Sequence, residues 1–280
     1  MARTDEFLTV EGTQIHYSAW GDPDGPPVVC VHGLSRVGRD FDPLARRLAD
    51  EFRVLCPDVP GRGLSEWADD PDDEYTGAAL AGTLVGFCEE LALDPIRWVG
   101  TSMGGALGIA LAGGPLADRV SHLVVNDVGP GPAADEDAEE GIDRIIAYLS
   151  DPPAFDRLTD LEAYYRETYA PFSEMTDAEW WRFTRTSARR TDDGQFAPDY
   201  DPRAVEPVLH GGDGDRWDAW EETPAELFVL RGTDSDVLSA ATFEGMQARR
   251  PDAETLTVEC GHAPALNVPG QVDPIRAFLD

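Results

Sequence analysis

Lysine is absent from this chain. All 22 basic side chains among the 280 residues are arginine, and they face 54 aspartates and glutamates, for a net charge of −32. No basic patch exists to neutralise phosphates, which excludes nucleic acid as a partner. Cysteine is scarce: Cys30, Cys56, Cys88 and Cys260 are widely spaced, with no C-x-x-C pair and no Cys/His ligand pattern. That excludes a disulfide framework, and no metal or organic cofactor is implied. Cys30 and Cys56 sit in apolar runs and read as small core residues, so a reduced cytoplasmic setting is expected. Long hydrophobic runs are missing too. None approaches the roughly 18 apolar residues of a membrane span, so no membrane partner is expected. Met1 to Glu6 has no apolar stretch of the kind a secretion signal needs.

What the chain has in excess is dispersed acid. Clusters such as Asp69-Asp70-Pro71-Asp72-Asp73-Glu74 and Asp135-Glu136-Asp137 fall between regular apolar segments that a disordered acidic chain would lack. Self-repulsion of this size strains a compact state in dilute buffer. At about 1 M salt the Debye length falls to about 3 Å and the repulsion largely disappears. The charge therefore predicts a protein suited to the molar salt of an extreme halophile. A GC-rich genome would explain the missing lysine better than it explains the −32.

Strand-like runs alternate with amphipathic segments, which predicts an α/β fold: a mostly parallel, eight-stranded sheet with helices on both faces. Phe7 to Glu11 and Gln14 to Trp20 read as an opening hairpin. Pro26 to Val31, Phe52 to Cys56, Ile96 to Val99, Val120 to Val125, Leu227 to Leu230 and Glu254 to Val258 read as further strands. Helices are expected near Phe41 to Leu48, Thr76 to Leu91 and Val272 to Leu279. Between about Gly131 and Glu222 the alternation gives way to a helical, aromatic-rich pattern. The division expected is a core of residues 1–130 and 223–280 with a helical cap over 131–222, lying where open α/β sheets bind ligands.

Gly100-Thr101-Ser102-Met103-Gly104 follows an apolar run and opens an Ala/Leu/Gly-rich stretch. A strand, a sharp turn with serine at its apex and a helix make up a G-x-S-x-G nucleophile elbow, whose flanking glycines avoid collisions. Val31-His32-Gly33-Leu34-Ser35 supplies the loop that places a backbone donor for a developing oxyanion. The expected donors are the N–H groups of Leu34 and Met103. His32 is expected to be structural. In Asp58-Val59-Pro60-Gly61-Arg62-Gly63-Leu64-Ser65, Asp58 is expected to orient its own loop.

Histidine's near-neutral pKa suits it to take and return the serine proton. His16 and His122 lie in or beside strand-like runs, and His210 in an acidic, glycine-rich linker. That leaves His262, in the late loop Gly261-His262-Ala263-Pro264. The acid that orients it is expected at Asp236, in Arg231-Gly232-Thr233-Asp234-Ser235-Asp236, because Val237-Leu238-Ser239 should then turn into a helix. Asp234 and Asp127 are the alternatives.

Together, His32-Gly33, Asp58-x-x-Gly61-x-Gly63-x-Ser65, Gly100-x-Ser102-x-Gly104, Asp236 and Gly261-His262 resemble the α/β-hydrolase superfamily. The likeness is to the branch carrying Asn126-Asp127-Val128-Gly129-Pro130 before the cap. Relatives that use an aspartate nucleophile are disfavoured, since Ser102 stands in that place. The resemblance implies a serine hydrolase of carboxylic esters or lactones, acting on a small molecule as a monomer or homodimer. A carbon–carbon bond hydrolase of dicarbonyl compounds is the alternative within enzymology. A ligand receptor of low turnover is the alternative outside it. The cap aromatics read either as packing for the cap helices or as lining for an apolar substrate portion.

Overall fold

The sheet of this computed structural model, which describes residues 3–131, 136–205, 207 and 214–280, opens with the expected hairpin. Strands β1 (Thr4–Val10) and β2 (Thr13–Trp20) pair antiparallel across the Glu11-Gly12 turn. After β3 (Pro27–Val31), a single 3-10 turn leads into helix α1 (Asp42–Leu48), and β4 (Arg53–Pro57) follows. A short α2 (Pro71–Glu74) precedes α3 (Gly77–Glu90), whose Thr76 cap accepts a hydrogen bond from the Ala79 N–H at 3.2 Å. Next come β5 (Ile96–Thr101), α4 (Met103–Ala112) and β6 (Val120–Asn126).

The chain then leaves the sheet. It makes α5 (Glu136–Ser150), α6 (Leu158–Thr168) and α7 (Asp177–Thr186), then a small hairpin of β7 (Ala188–Arg190) and β8 (Phe196–Pro198). It returns through β9 (Glu226–Gly232), the helix Ala240–Arg249, β10 (Glu254–Val258) and the closing helix Pro269–Leu279. The strand order is β1-β2-β4-β3-β5-β6-β9-β10, parallel from β4 onward. The excursion is not purely helical, contrary to expectation, since β7 and β8 pair within it. Their three-residue strands are too short to leave an alternating signature.

Period-two alternation explains why the central strands read as continuous apolar runs. Val29, Val31, Trp98, Leu123, Val125, Leu227 and Val229 enter one core. Their neighbours Val28, Cys30, Val99, Val124, Phe228 and Leu230 enter the core on the opposite face. Each strand is therefore covered on both sides, and each such side chain contributes about 1.5–3 kcal/mol by leaving water. Cys30 and Cys56 are buried free thiols in the second core, as expected. A third cluster, of Leu161, Tyr165, Tyr169, Trp180 and Phe183, belongs wholly to the excursion. Among the described residues, no helix is long and apolar enough to cross a membrane.

Candidate active site

The turn between β5 and α4 carries Ser102 at φ 52° and ψ −118°. A left-handed φ on a serine is a strained conformation, held only where the surroundings dictate it. Two glycines permit it. A Cβ on Gly100 would sit 2.2 Å from the Gly104 carbonyl oxygen, and one on Gly104 would sit 2.0 Å from that of Val31. Hydrogen bonds fix the turn from both sides: the Ser102 N–H donates to Asn126 O at 2.9 Å, and its carbonyl receives the Gly105 and Ala106 N–H groups at 2.8 and 3.0 Å. The strand–turn–helix reading of the pentapeptide is what the chain forms.

His262 stands with its Nε2 3.0 Å from the Ser102 hydroxyl. Its Nδ1 lies 2.8 Å from Oδ2 of Asp127, a residue that is wholly buried. A carboxylate accepting from Nδ1–H leaves the Nε2 lone pair to accept the serine proton. The loop carrying His262 is fastened at several points. Asn126 Nδ2 donates to Pro264 O at 2.9 Å, the Gly261 N–H donates to Pro171 O at 2.7 Å, and the Ala265 N–H donates to Ser173 Oγ at 3.0 Å.

The partner of His262 is therefore Asp127 and not Asp236, which corrects the expected acid. Strands β6 and β9 are parallel neighbours in register, Asn126 beside Leu230, so acids at their ends emerge at one sheet edge. Asp127 follows β6 directly, at φ 62°, and its carboxylate crosses toward the end of β9. There Oδ1 accepts the Gly232 N–H at 2.8 Å, and Oδ2 accepts the Ser235 hydroxyl at 2.7 Å. Asp236 lies farther along the loop and is engaged by Arg144 of α5, with Nε and Nη2 at 2.9 and 3.1 Å. Asp234 is exposed. Ser235 also accepts the Leu238 N–H at 3.0 Å, and Ser239 caps the next helix, so the expected turn forms without a catalytic Asp236.

His32 and Asp58 build the scaffold, as expected. His32 Nδ1 donates to Gly33 O at 2.8 Å, while Nε2 accepts the Val59 N–H at 3.1 Å, which requires the neutral ring. Burial pulls its pKa down to about 4, against weaker opposition from the Asp58 charge. Asp58 accepts the Gly38 N–H at 2.7 Å, the Leu64 N–H at 3.1 Å and His16 Nδ1 at 2.7 Å. Arg62, whose role carries no local mark in the sequence, completes the scaffold. It is fully buried and holds Leu34 O at 2.9 Å and Pro60 O at 2.7 Å, so it clamps the loop on which Leu34 sits. His122 stacks edge-on against Phe278, away from Ser102, and His210 lies outside the described residues.

Ser102, His262, Leu34 and Thr101 open into a cavity of about 840 Å³, counting its mouth. Its other walls come partly from the core, with Arg36, Asp40 and Phe41 after β3 and Pro264 to Asn267 after His262, and partly from the excursion, with Arg144, Ile145, Tyr148, Tyr169, Phe172, Met175, Arg182 and Phe183. The aromatics thus serve the two expected roles. Tyr165 and Trp180 pack the third core, while Tyr148, Tyr169, Phe172 and Phe183 both pack in or against it and line the cavity. Met103 is the first residue of α4, so its N–H belongs to the helical first turn, which has no intrahelical acceptor. Among the described residues, no cluster of His, Cys, Asp and Glu is arranged to hold a metal ion.

Residues 28–274 match the sequence profile of the alpha/beta hydrolase family. The chain belongs to that family. Within it, the chain is 35% identical over 268 residues to the 3-hydroxybutyrate-oligomer hydrolase of Cupriavidus necator, covering 91% of this chain and 89% of that protein. It is 26% identical over 235 residues to the 2-(acetamidomethylene)succinate hydrolase of Mesorhizobium japonicum, covering 84% and 80% of the two chains. Among solved structures, an alpha/beta hydrolase from Novosphingobium aromaticivorans superposes with a TM-score of 0.87 at 33% identity, over 100% of this chain and 99% of that one.

Proposed function

We propose that this alpha/beta hydrolase cleaves carboxylic esters through an acyl-enzyme on Ser102, and that its substrates are short esters of hydroxy acids. The observation that carries the reading is the unbroken series Ser102–His262–Asp127, at 3.0 and 2.8 Å, opening into the cavity. His262 takes the Ser102 proton as the oxygen attacks the ester carbonyl, then returns it to the departing alcohol. Water repeats the sequence to release the acid. Asp127, rather than Asp236, orients the imidazole and stabilises its charged form. The N–H groups of Leu34 and Met103 receive the oxyanion, with Arg62 holding the Leu34 loop in place.

Residues 131–222 act as the cap that walls off the substrate. The substrate class draws on likeness to the Cupriavidus protein, whose named oligomers are chains of a hydroxy acid joined by ester bonds.

The test is turnover of p-nitrophenyl butyrate and of the linear 3-hydroxybutyrate dimer in about 3 M KCl, beside Ser102→Ala and a fluorophosphonate label. Hydrolysis of both esters, lost in Ser102→Ala, with the label on Ser102 is the expected result. No turnover of either ester together with no labelling removes the proposal. Turnover confined to a lactone or dicarbonyl compound would move the activity to those classes.

A further inference from the structure

Among the described residues, the charge lining the cavity is opposite to that of the molecule. In a chain with 54 acids and 22 arginines, those lining residues include three arginines, Arg36, Arg144 and Arg182, and one carboxylate, Asp40. Two of the three are spoken for. Arg36 places Nε and Nη2 on Asp40 at 2.7 and 2.8 Å and donates to Ser187 Oγ at 2.7 Å, with its guanidinium 3.7 Å from the Phe183 ring centre. Arg144 is paired with Asp236 through two bonds.

Arg182, in the middle of α7, is different. Among the described residues its side chain makes a single long hydrogen bond, 3.3 Å from Nη1 to Arg39 O. Among the described residues, no carboxylate lies within the ion-pair distance of about 4 Å. The acids whose charges reach it are Asp42, Asp40 and Glu179. Each is committed elsewhere. Asp40 serves Arg36, and Asp42 takes Arg39 at 2.7 to 3.0 Å. Glu179 accepts the Thr176 N–H and hydroxyl at 2.8 and 2.7 Å and Asn267 Nδ2 at 3.1 Å. Burial lowers the Arg182 pKa, and the nearby acids do not fully offset it. An arginine remains charged under these conditions. It stands as a half-buried cation facing a cavity without a bidentate partner.

We propose that Arg182 receives a free carboxylate of the substrate, so that the cavity selects esters that are themselves anions. The inference rests on the ester-hydrolase reading above and narrows it. In a linear hydroxy-acid oligomer the single free carboxylate belongs to the terminal unit. Capturing it would set the ester bonds near that terminus before Ser102. Guanidinium and carboxylate match as a two-bond fork, which a partly desolvated site strengthens. Molar salt, which erases the repulsion between an anionic substrate and the acidic exterior, screens such an enclosed pair much less.

The discriminating pair of substrates is the linear 3-hydroxybutyrate dimer and its methyl ester, of equal reach and different charge, compared in about 3 M KCl. The wild-type kcat/KM for the acid should exceed that for the methyl ester by about tenfold or more, chiefly through KM. Arg182→Gln should bring the ratio close to one, and Arg182→Lys should restore part of it. A wild-type ratio at or below one overturns the inference with no variant needed, as does an Arg182→Gln ratio equal to wild type. Calorimetric binding of the two compounds to Ser102→Ala separates this from failure of the hydrolase reading. Tighter binding of the acid, lost in the double variant with Arg182→Gln, upholds the carboxylate site even without turnover. Equal binding of acid and ester sinks it even where both esters turn over.

Discussion

Asp127 and His262 are 135 positions apart in sequence, yet Oδ2 of the first lies 2.8 Å from Nδ1 of the second. That contact joins the end of β6 to the loop after β10, across β9. It separates two carboxylates that look equivalent in sequence. Asp127→Asn should lower kcat by about 10³ to 10⁴, because an amide holds the imidazole in the wrong tautomer. Asp236→Asn loses a half-buried ion pair near the surface, worth about 0–1 kcal/mol, so its kcat/KM should stay within about fivefold. Steady-state kinetics on p-nitrophenyl butyrate decides. A large loss in Asp236→Asn with a small one in Asp127→Asn would reinstate Asp236.

The elbow and the histidine were legible because each carries a local mark: two glycines flanking a serine after a strand, and a histidine in the last loop before the closing helix. The acid was not. Asp127 and Asp236 both follow strands, and only the register of β6 against β9 decides which reaches His262. The sheet was legible from alternation, with β9 and β10 found to within a few residues. The β7–β8 hairpin and the long-range ties of Arg62, Ser173 and Asn126 were not, since a buried side-chain to backbone bond leaves no periodic trace. Arg182 was invisible for the same reason: whether an arginine is paired is a property of its neighbours in space.

Gly104→Ala should show how tightly the elbow is built. Its new Cβ would lie 2.0 Å from backbone rather than from a movable side chain, so the helix must withdraw from β3. A loss of about 3–5 kcal/mol is expected. Gly270→Ala is the control. It lies in the closing helix with nothing within 4 Å of the added Cβ, and should stabilise by about 0.5–1 kcal/mol. Urea unfolding in about 3 M KCl measures both. A tolerated Gly104→Ala would mean that α4 can shift without cost.

His32 should contribute a defined part of the acid sensitivity. Its pKa is lowered from 6.5 to about 4 in the fold, so between these values the unfolded chain binds the proton and the folded one does not. Stability therefore rises with pH through this window and is fully present above about pH 6.5. Lowering pH from about 7 to about 5 should cost about 2 kcal/mol through this residue. The wild type should lose that much more than His32→Gln over the same interval in urea titrations. Parallel curves would show that His32 titrates normally in the fold.

Salt should govern stability more strongly than in an ordinary hydrolase, because the arginines are too few to neutralise the acids and are spent locally. Arg39 pairs with Asp42, Arg157 with Asp160, Arg166 with Glu162 and Arg203 with Asp201, each within four positions along the chain. Such pairs leave the net −32 undiminished. From about 3 M to about 0.1 M KCl the Debye length grows from below 3 Å to about 10 Å, long enough for neighbouring surface carboxylates to repel. Several kcal/mol of self-repulsion should lower Tm by more than about 10 °C. Sucrose, which strengthens burial without screening charge, should not replace the salt. Equal Tm at both KCl concentrations would refute the salt adaptation. Full rescue by sucrose at low salt would assign the dependence to burial instead of to charge.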